Sequence, residues 1–300
     1  MRFLGIVLIS VLLPLAVNAR KEKPIVEFGV VTDIHYNRNR EVNINRYYQD
    51  SDEKLREAVD TFKAHRVDFM VALGDIIDGD LNSYADLKPI FASLKKPVYK
   101  VFGNHDFLEA YGSPLETDVQ EMMEMETPYY SVQKRGIRFL FLDSNDLAVH
   151  SRSPQTPEGE EARELLSQLR AEHCGYACDF NGTWGKEERQ WVLSQIEAAQ
   201  KKGQMVFCLA HMPLQPMDIG ACDFRGKELS DMLEKHTCVK AMLAGHHHVG
   251  SMMLSGRLKH YGFQGMIEGT DNHFSIVKIY KDRMEIIGFG KQESRTIKFE

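Results

Sequence analysis

Side chains that commonly bind metals follow five apolar, strand-like runs of the sequence, directly after each run ends. Ligand sites of open α/β sheets lie at the carboxyl ends of the strands, so a parallel sheet is expected to gather these side chains at one edge. Each residue alone is also explained as a turn or capping residue, but together they predict a metal site. The residues are Asp33 and His35, Asp75 and Asp78, Asn104, His105 and Asp106, His211, and His246, His247 and His248.

The stretch AGHHHVG, residues 244–250, places three histidines in a row. In extended backbone, side chains two positions apart point to the same side, so His246 and His248 are expected to face one cavity while His247 faces away. A solvated polar loop is the alternative, which is disfavoured because an apolar run leads directly into Gly245. Asp78 is expected to support its loop rather than to contact a metal.

Strand-like and helix-like segments alternate along the chain and must position these residues. Strands are predicted at 25–33, 68–75, 97–106, 205–211, 239–248, 251–263, 273–280 and 283–289, with a hairpin at 129–143. Helices are predicted at 50–65, 82–94, 158–171, 186–202 and 226–236. The alternation predicts parallel strands with crossover helices, in one domain with a mixed sheet or two facing sheets. The segments near 107–128 and 144–184 are expected to form a cap on the substrate side.

The bulk composition excludes one class of partner. The 300 residues are 43% hydrophobic and 27% charged, which is typical of a globular protein, and the formal net charge is −6. Nucleic-acid binding requires clustered Lys and Arg, and no basic excess or basic track is present, so no nucleic-acid partner is expected. A small anionic substrate is compatible with this charge, provided that metals supply positive charge locally.

The N-terminal stretch MRFLGIVLISVLLPLAVNA has the pattern of a signal peptide at residues 1–19. Arg2 precedes a short apolar run, and Ala19 ends a cleavage-site pattern. A membrane anchor is the alternative, but the run is shorter than the ~20 residues that span a bilayer, and Pro14 interrupts it. We therefore expect cleavage, export to a periplasm or to the medium, no stable membrane insertion, and a mature domain at residues 20–300.

All five cysteines lie in the expected mature part of the chain. An oxidising compartment permits disulfides, and Cys174 with Cys178 and Cys222 with Cys238 are possible pairs. Cys208 lies inside an apolar strand-like run and is expected to be a buried free thiol. The spacing of these cysteines fits no familiar zinc pattern.

The polar residues at the strand ends form a signature that resembles the calcineurin-like metallophosphoesterases. The signature reads Asp33-x-His35, Gly74-Asp75-x-x-Asp78, Gly103-Asn104-His105-Asp106, His211 and Gly245-His246-x-His248. The resemblance implies an α/β fold of two facing mixed β-sheets flanked by helices, in four layers. It also implies a hydrolase of phosphoric esters or anhydrides that uses two divalent metal ions. Oxygen and imidazole ligands without thiolate suit Mn²⁺, Fe or Zn²⁺.

The resemblance further implies a role for each residue of the signature. The ligands of one metal would be Asp33, His35 and His248. The ligands of the other would be Asn104, His211 and His246. Asp75 would bridge both metals, His105 would be the catalytic acid near the leaving group, and Asp106 would orient His105. Two cations would clamp a phosphoryl group and activate a bridging water for in-line attack.

One branch of that family is similar over most of residues 25–295, namely the manganese-dependent ADP-ribose/CDP-alcohol diphosphatases. The stretches that carry the similarity are NRYYQDSDEKLREAVD, LGDIIDG, FGNHDF, PYYSV, NGTWGKEERQWV and GMIEGT. This resemblance implies a small phosphorylated substrate, a nucleotide diphosphate ester, that is cleaved at its pyrophosphate bond. Tyr36 and Asn145 are candidates for the cleft wall, where Tyr36 either stacks on a base or simply packs.

The sequence also departs from that branch. Its relatives carry Gln where His35 stands and GNHE where this chain has GNHD, and they lack an export signal. A broad-specificity phosphodiesterase or phosphomonoesterase is therefore one alternative. A non-catalytic, metal-dependent nucleotide-binding protein is another, although a pure binder needs no acid such as His105.

Overall fold

The computed structural model of this chain describes residues 22–111, 116–214, 220–254 and 256–300. The predicted signal peptide at residues 1–19 lies outside these described residues. The strands are β1 (Val26–Val31), β2 (Phe69–Leu73), β3 (Val98–Val101), β4 (Tyr130–Lys134), β5 (Ile137–Phe141), β6 (Leu147–Ala148), β7 (Gly182–Thr183), β8 (Met205–Leu209), β9 (Val239–Ala244), β10 (Val249–Met253), β11 (Lys259–Gln264), β12 (Phe274–Ile279), β13 (Arg283–Phe289) and β14 (Arg295–Lys298). The α-helices are α1 (Ser51–His65), α2 (Tyr84–Ser93), α3 (Glu116–Met122), α4 (Pro157–Ala171), α5 (Lys186–Lys201) and α6 (Gly226–Glu234).

Most strands belong to two six-stranded mixed sheets, ordered β14-β13-β12-β1-β2-β3 and β10-β11-β9-β8-β5-β4. In the first sheet β1, β2 and β3 are parallel. In the second sheet β5, β8, β9 and β11 are parallel, with antiparallel strands at both edges. The two-sheet architecture implied by the family resemblance is confirmed, and of the two arrangements that the residues left open, two facing sheets is the one observed.

The strands are apolar on both faces because each face packs against a different layer. In β2, Phe69 and Val71 lie in the core between the two sheets, whereas Met70 and Ala72 pack toward the helices of the first sheet. The ring centroids of Phe69 lie 4.9 Å from Phe28 of the same sheet and 5.3 Å from Phe139 of the other sheet. These aromatic contacts fix how the two sheets face each other, and thereby where their strand ends meet.

Helices cover the outer face of each sheet. On α1, Leu55, Val59 and Phe62 are buried against the first sheet. On α5, Ile196 and Ala199 pack against the second sheet. Two details were not predicted: the region 251–263 is divided into β10 and β11, and β14 forms an additional edge strand.

The segment 144–184 is an ordered part of the fold. It contains α4 and the two-stranded sheet of β6 and β7. Leu166 and Leu169 of α4 pack against Phe224, so the segment is anchored to the second half of the chain. In the segment 107–128, the buried side chains of Val119 and Met123 join the core of the first sheet.

All five cysteines are free thiols, so the possible pairs Cys174–Cys178 and Cys222–Cys238 are wrong. Cys174 packs against the Leu166 cluster, whereas Cys238 packs beside α5. Cys222 donates from its thiol to the Asp223 carbonyl. Cys208 is fully buried, as predicted. Among the described residues, no helix has the length and apolarity needed to cross a membrane.

Candidate metal centre

The carboxyl ends of strands from both sheets meet at the candidate site. From the first sheet, Asp33 follows β1, Asp75 follows β2 and Asn104 follows β3. From the second sheet, His211 follows β8 and His246 follows β9. The His246 amide N–H lies 3.1 Å from Asp33 Oδ1 and donates to that carboxylate, which joins the two sheets directly. The predicted convergence of these loops is therefore observed, but it arises because two sheets face each other and their strand ends meet.

The loops that carry the site hold several residues in the left-handed region of backbone space. Residues other than glycine rarely adopt this conformation, and it is concentrated at functional sites. The site residues with positive φ are Asp33 (50°), His35 (48°), Asp75 (50°), His246 (67°) and His248 (50°). Close packing accompanies this strain, because a Cβ on Gly103 would lie 2.1 Å from Asp75 Oδ1.

One group of donor atoms comprises Asp33, His35, Asp75 and His248, whose ligand atoms all lie within 4.8 Å of one another. His35 Nε2 lies 3.3 Å from Asp75 Oδ2, and His248 Nε2 lies 3.3 Å from Asp33 Oδ1. His248 Nδ1 lies 2.7 Å from Glu268 Oε1. Because a carboxylate only accepts, that contact assigns the Nδ1 proton of His248 and directs Nε2 toward the group.

A second group comprises Asp75, His211 and His246, so Asp75 belongs to both groups. His211 Nδ1 donates to the Leu73 carbonyl at 2.7 Å, and His211 Nε2 lies 3.1 Å from Asp75 Oδ2. The same Nε2 lies 3.1 Å from His246 Nδ1 and 3.3 Å from Asn104 Oδ1. The residues expected at the second metal therefore lie together around one ring nitrogen.

The electrostatic balance of this site favours positive charge. Burial raises the pKa of Asp33, but the charge of His248 helps to outweigh burial and holds that pKa well below its usual range. Burial lowers the pKa of His211, but Asp75 and Asp33 reverse this effect and raise it to about 9. Burial likewise lowers the pKa of His248, whereas Asp33 and Glu268 raise it to about 9. A region that retains protons this strongly also attracts cations, which compete with those protons.

The donor set fits two divalent cations that share Asp75. Its Oδ2 atom is fully buried and makes no hydrogen bond, although two imidazole nitrogens lie beside it. A buried carboxylate oxygen without a partner is costly, and a cation would supply the missing contact. The surrounding oxygen and imidazole donors suit Mn²⁺, Fe or Zn²⁺.

His105 lies at the rim of this site and is held by Asp78. The His105 Nδ1 atom lies 2.5 Å from Asp78 Oδ1, and the His105 side chain is 21% exposed. The same Asp78 oxygen lies 3.4 Å from His35 Nδ1, and Arg40 pairs with its other oxygen. Burial lowers the pKa of His105 to about 4, against the opposing charge of Asp75. Asp78 therefore fixes the ring orientation of His105 and links it to His35.

Asp106 does not orient His105, and that expectation is wrong. Asp106 Oδ1 accepts the backbone N–H groups of Ile76 and Ile77 at 2.8 and 3.0 Å. Its Oδ2 atom accepts the Gly103 N–H at 2.8 Å. The carboxylate is turned away from its sequence neighbour and joins the loops after β2 and β3, so Asp106 is a positioning residue for the loops.

The three consecutive histidines divide as predicted, but for a different reason. β9 ends at Ala244, so these histidines lie in a turn rather than in an extended strand. His246 and His248 reach the site from left-handed backbone positions. His247 is turned away, and its Nδ1 lies 3.0 Å from the Gly250 carbonyl.

The two cleft-wall candidates are both buried. The Tyr36 hydroxyl donates to Asp86 Oδ2 at 3.0 Å, which favours packing over stacking on a base. The Asn145 amide donates to the Phe102 carbonyl at 3.1 Å. Of the two alternatives for Tyr36, packing is therefore observed, and the Asn145 side chain is likewise used inside the fold.

Sequence reasoning missed three residues around the two histidines of the site. Glu268 contacts His248, Asn181 Oδ1 lies 2.8 Å from His246 Nε2, and the 43%-exposed Phe180 ring lies 5.8 Å from the His246 ring. Asn181 and Glu268 occur in NGTWGKEERQWV and GMIEGT, stretches that carried the family similarity. That similarity was the available signal, since neither residue type marks a partner of a histidine by itself.

Residues 26–250 match the family model described as calcineurin-like phosphoesterase. Similar relatives include the manganese-dependent ADP-ribose/CDP-alcohol diphosphatase of Xenopus tropicalis, which is 28% identical over 93% of this chain and 96% of its own length. The enzyme of the same name from Oryza sativa subsp. japonica is 26% identical over 95% and 97%. Among solved structures, a dimetal phosphatase from Danio rerio superposes with a TM-score of 0.84 at 24% identity, covering 93% of this chain and 100% of that one.

Proposed function

This chain belongs to the calcineurin-like phosphoesterase family and is a metal-dependent hydrolase that uses two divalent metal ions. We propose that it cleaves nucleotide diphosphate esters. ADP-ribose and CDP-alcohols are the substrates named for its relatives. The observation that carries this proposal is the pair of adjoining donor groups that share Asp75, whose buried Oδ2 atom makes no hydrogen bond.

The chain's own residues divide the work between the two ions. Asp33, His35 and His248 are proposed to hold one ion. Asn104, His211 and His246 are proposed to hold the other, with Asp75 between them. When bound, the ions neutralise the phosphoryl oxygens and make the attacking water more acidic. The buried imidazoles and carboxylates keep this positive charge in place where screening by solvent is weak.

His105 is proposed to exchange a proton with the leaving group. Asp78 accepts the Nδ1 proton, which leaves Nε2 to exchange a proton at the rim of the site. Cleavage of a pyrophosphate bond releases a phosphomonoester, which needs little protonation to depart. His105 is therefore more important for esters with an alkoxide leaving group than for the proposed substrates.

The rim of the site supports a nucleotide as the substrate. Phe180 is exposed beside His246, and its ring offers a face on which a nucleobase can stack. Arg40 pairs with Asp78, and Arg46 pairs with Glu268. These guanidinium groups are partly exposed and suit contact with the second phosphate.

A substrate panel tests the proposal. The protein is incubated with Mn²⁺ and, separately, ADP-ribose, CDP-choline, cyclic nucleotides, a chromogenic diester and monoesters, and products are identified by mass spectrometry. We expect ADP-ribose to yield AMP and ribose 5-phosphate with the highest kcat/KM of the panel. A preference for diesters or monoesters would favour the broad-specificity alternative. Binding of Mn²⁺ and nucleotide without turnover would favour the non-catalytic alternative.

We also propose that the protein is exported after removal of residues 1–19. The support is the signal-peptide pattern of that stretch. Intact-mass analysis of the protein from fractionated cells tests this, and we expect a chain that begins at Arg20 outside the cytoplasm. Recovery of the full-length chain in the cytoplasm would contradict export without affecting the proposed chemistry.

A further inference from the structure

Asn181 is a fully buried amide that lies between a candidate metal ligand and two loops. Its Oδ1 atom lies 2.8 Å from His246 Nε2. Its Nδ2 atom donates to the Tyr176 carbonyl at 2.8 Å and also to the Gly220 carbonyl. The single side chain therefore satisfies three polar groups that belong to separate parts of the chain.

These contacts fix the orientation of the amide. Only the NH₂ end can face the Tyr176 and Gly220 carbonyls, because a carbonyl accepts and cannot donate. The oxygen of Asn181 must then face His246, so His246 donates from Nε2. A neutral imidazole that carries its proton on Nε2 has its lone pair on Nδ1.

We propose that Asn181 is the positioning residue that makes Nδ1 the metal-binding atom of His246. His246 Nδ1 lies 3.1 Å from His211 Nε2, inside the donor group shared with Asp75. With the opposite tautomer, the proton would point into the metal position and the Asn181 oxygen would face a lone pair. The neighbour that holds the second nitrogen of a ligating histidine fixes its tautomer and ring orientation and raises its basicity.

The same contacts connect the metal centre to the segment 144–184. Tyr176 and Asn181 lie in the loop between α4 and β7, and Gly220 belongs to the segment that precedes α6. Phe180, on the first of these loops, contacts the His246 ring. His246 is thereby held by residues that lie outside the metal signature in sequence.

Titration with Mn²⁺ tests this role without the need for a substrate. Asn181→Leu keeps the volume but removes the acceptor, and we expect one of the two ions to bind about 10- to 100-fold more weakly, while the other is unchanged. Asn181→Asp keeps an acceptor for the Nε2 proton, and we expect both ions to be retained. Asp179→Ala is the matched control, because that exposed side chain lies on the same loop and pairs only with Arg170 among the described contacts.

Binding is measured by calorimetry and by electron paramagnetic resonance of Mn²⁺, with the melting temperature of each metal-free variant as a check on folding. Unchanged binding in Asn181→Leu would overturn the proposal. Equal losses in Asn181→Leu and Asn181→Asp would also overturn it, since they would indicate a role in loop packing alone. The proposal rests on the two-ion site of the proposed function but not on its substrate, so failure of the substrate panel leaves the Mn²⁺ result decisive here.

Discussion

Two groups of fully buried carboxylates in this protein have pKa values that are shifted in opposite directions. At the candidate metal centre, burial raises the pKa of Asp75, but His211 and the neighbouring histidines lower it well below the usual range. A second group comprises Asp143, Glu188 and Asp223, which we name the acid cluster. Burial raises the pKa of Asp143 to about 7, and it raises the pKa of Glu188 well above its usual value.

The difference lies in what faces each carboxylate rather than in its burial. Asp75 has His35 and His211 within 3.3 Å, whereas the charges that shift the pKa of Glu188 come from other acids, Asp143 and Asp146 first. Like charges in a low-dielectric region favour the protonated form. The acid cluster therefore retains protons and supports the fold, and only carboxylates that face imidazoles are prepared to bind cations.

The largest expected effect is that of Asp75→Asn, which tests the carboxylates of the metal centre. The change keeps the volume but removes the negative charge shared by both donor groups. We expect at least one ion to be lost, Mn²⁺ affinity to fall more than about 100-fold, and turnover to become undetectable. Metal analysis by mass spectrometry checks this, and two ions per chain in the variant would contradict the shared role of Asp75.

His105→Ala is expected to have the next largest effect, and it depends on the leaving group. Loss of a positioned proton donor slows cleavage of a diester with an alkoxide leaving group by about 10² to 10⁴-fold. Cleavage of ADP-ribose is expected to slow much less, and bound Mn²⁺ is expected to remain. Paired kcat measurements on the two substrates check this, and equal rates with wild type on the diester would remove His105 from the chemistry.

A comparison of Asp78→Ala with Asp106→Ala distinguishes a residue that orients the imidazole ring of His105 from a residue that stabilises the loops after β2 and β3. Asp78→Ala releases His105 and His35, and we expect kcat to fall about 10- to 100-fold. Asp106→Ala leaves three buried N–H groups without an acceptor, each worth about 1–3 kcal/mol, so a lower melting temperature is its main effect. Melting curves and kcat of both variants check this, and a reversed pattern would restore the orienting role to Asp106.

The sequence predicts most strands and helices because local pattern determines them. Runs such as FMVAL are apolar at every position, which is typical of strands that are buried on both faces. Which strands share a sheet is a different matter, since β8 and β9 are as apolar as β1 and β2. The residues alone therefore do not decide between one sheet and two sheets, and only the resemblance to a family indicates two. The half-exposed, charged strand β14 carries no such pattern and was missed.

The candidate site divides in the same way. Residues whose types carry the chemistry, such as His211 and His248, could be found because their positions after strands are visible in the sequence. Their hydrogen-bond partners could not be found, because Asn181 and Glu268 become recognisable only when the imidazoles lie beside them. Adjacency in sequence even misled, since Asp106 follows His105 directly but faces the backbone of neighbouring loops.

The smallest expected effect is that of Glu188→Gln, which tests whether the acid cluster retains its protons. Glu188 Oε1 accepts the Asp143 N–H, its Oε2 has no partner, and Asp146, Asp223 and Arg152 are the other charged groups around it. A raised folded-state pKa means that the folded protein binds the extra proton, so stability falls as pH rises above the unfolded value of about 4.3.

A glutamine has the shape of the protonated acid and cannot ionise, so Glu188→Gln removes this penalty. We expect equal stability of the two proteins near pH 4 and a gain for the variant that grows by up to about 1.4 kcal/mol per pH unit above it. Denaturant unfolding from pH 4 to pH 8 measures this difference. A variant that loses stability as pH rises would indicate that Glu188 is ionised in the folded protein, and the acid cluster would then belong with Asp33 and Asp75 rather than opposite them.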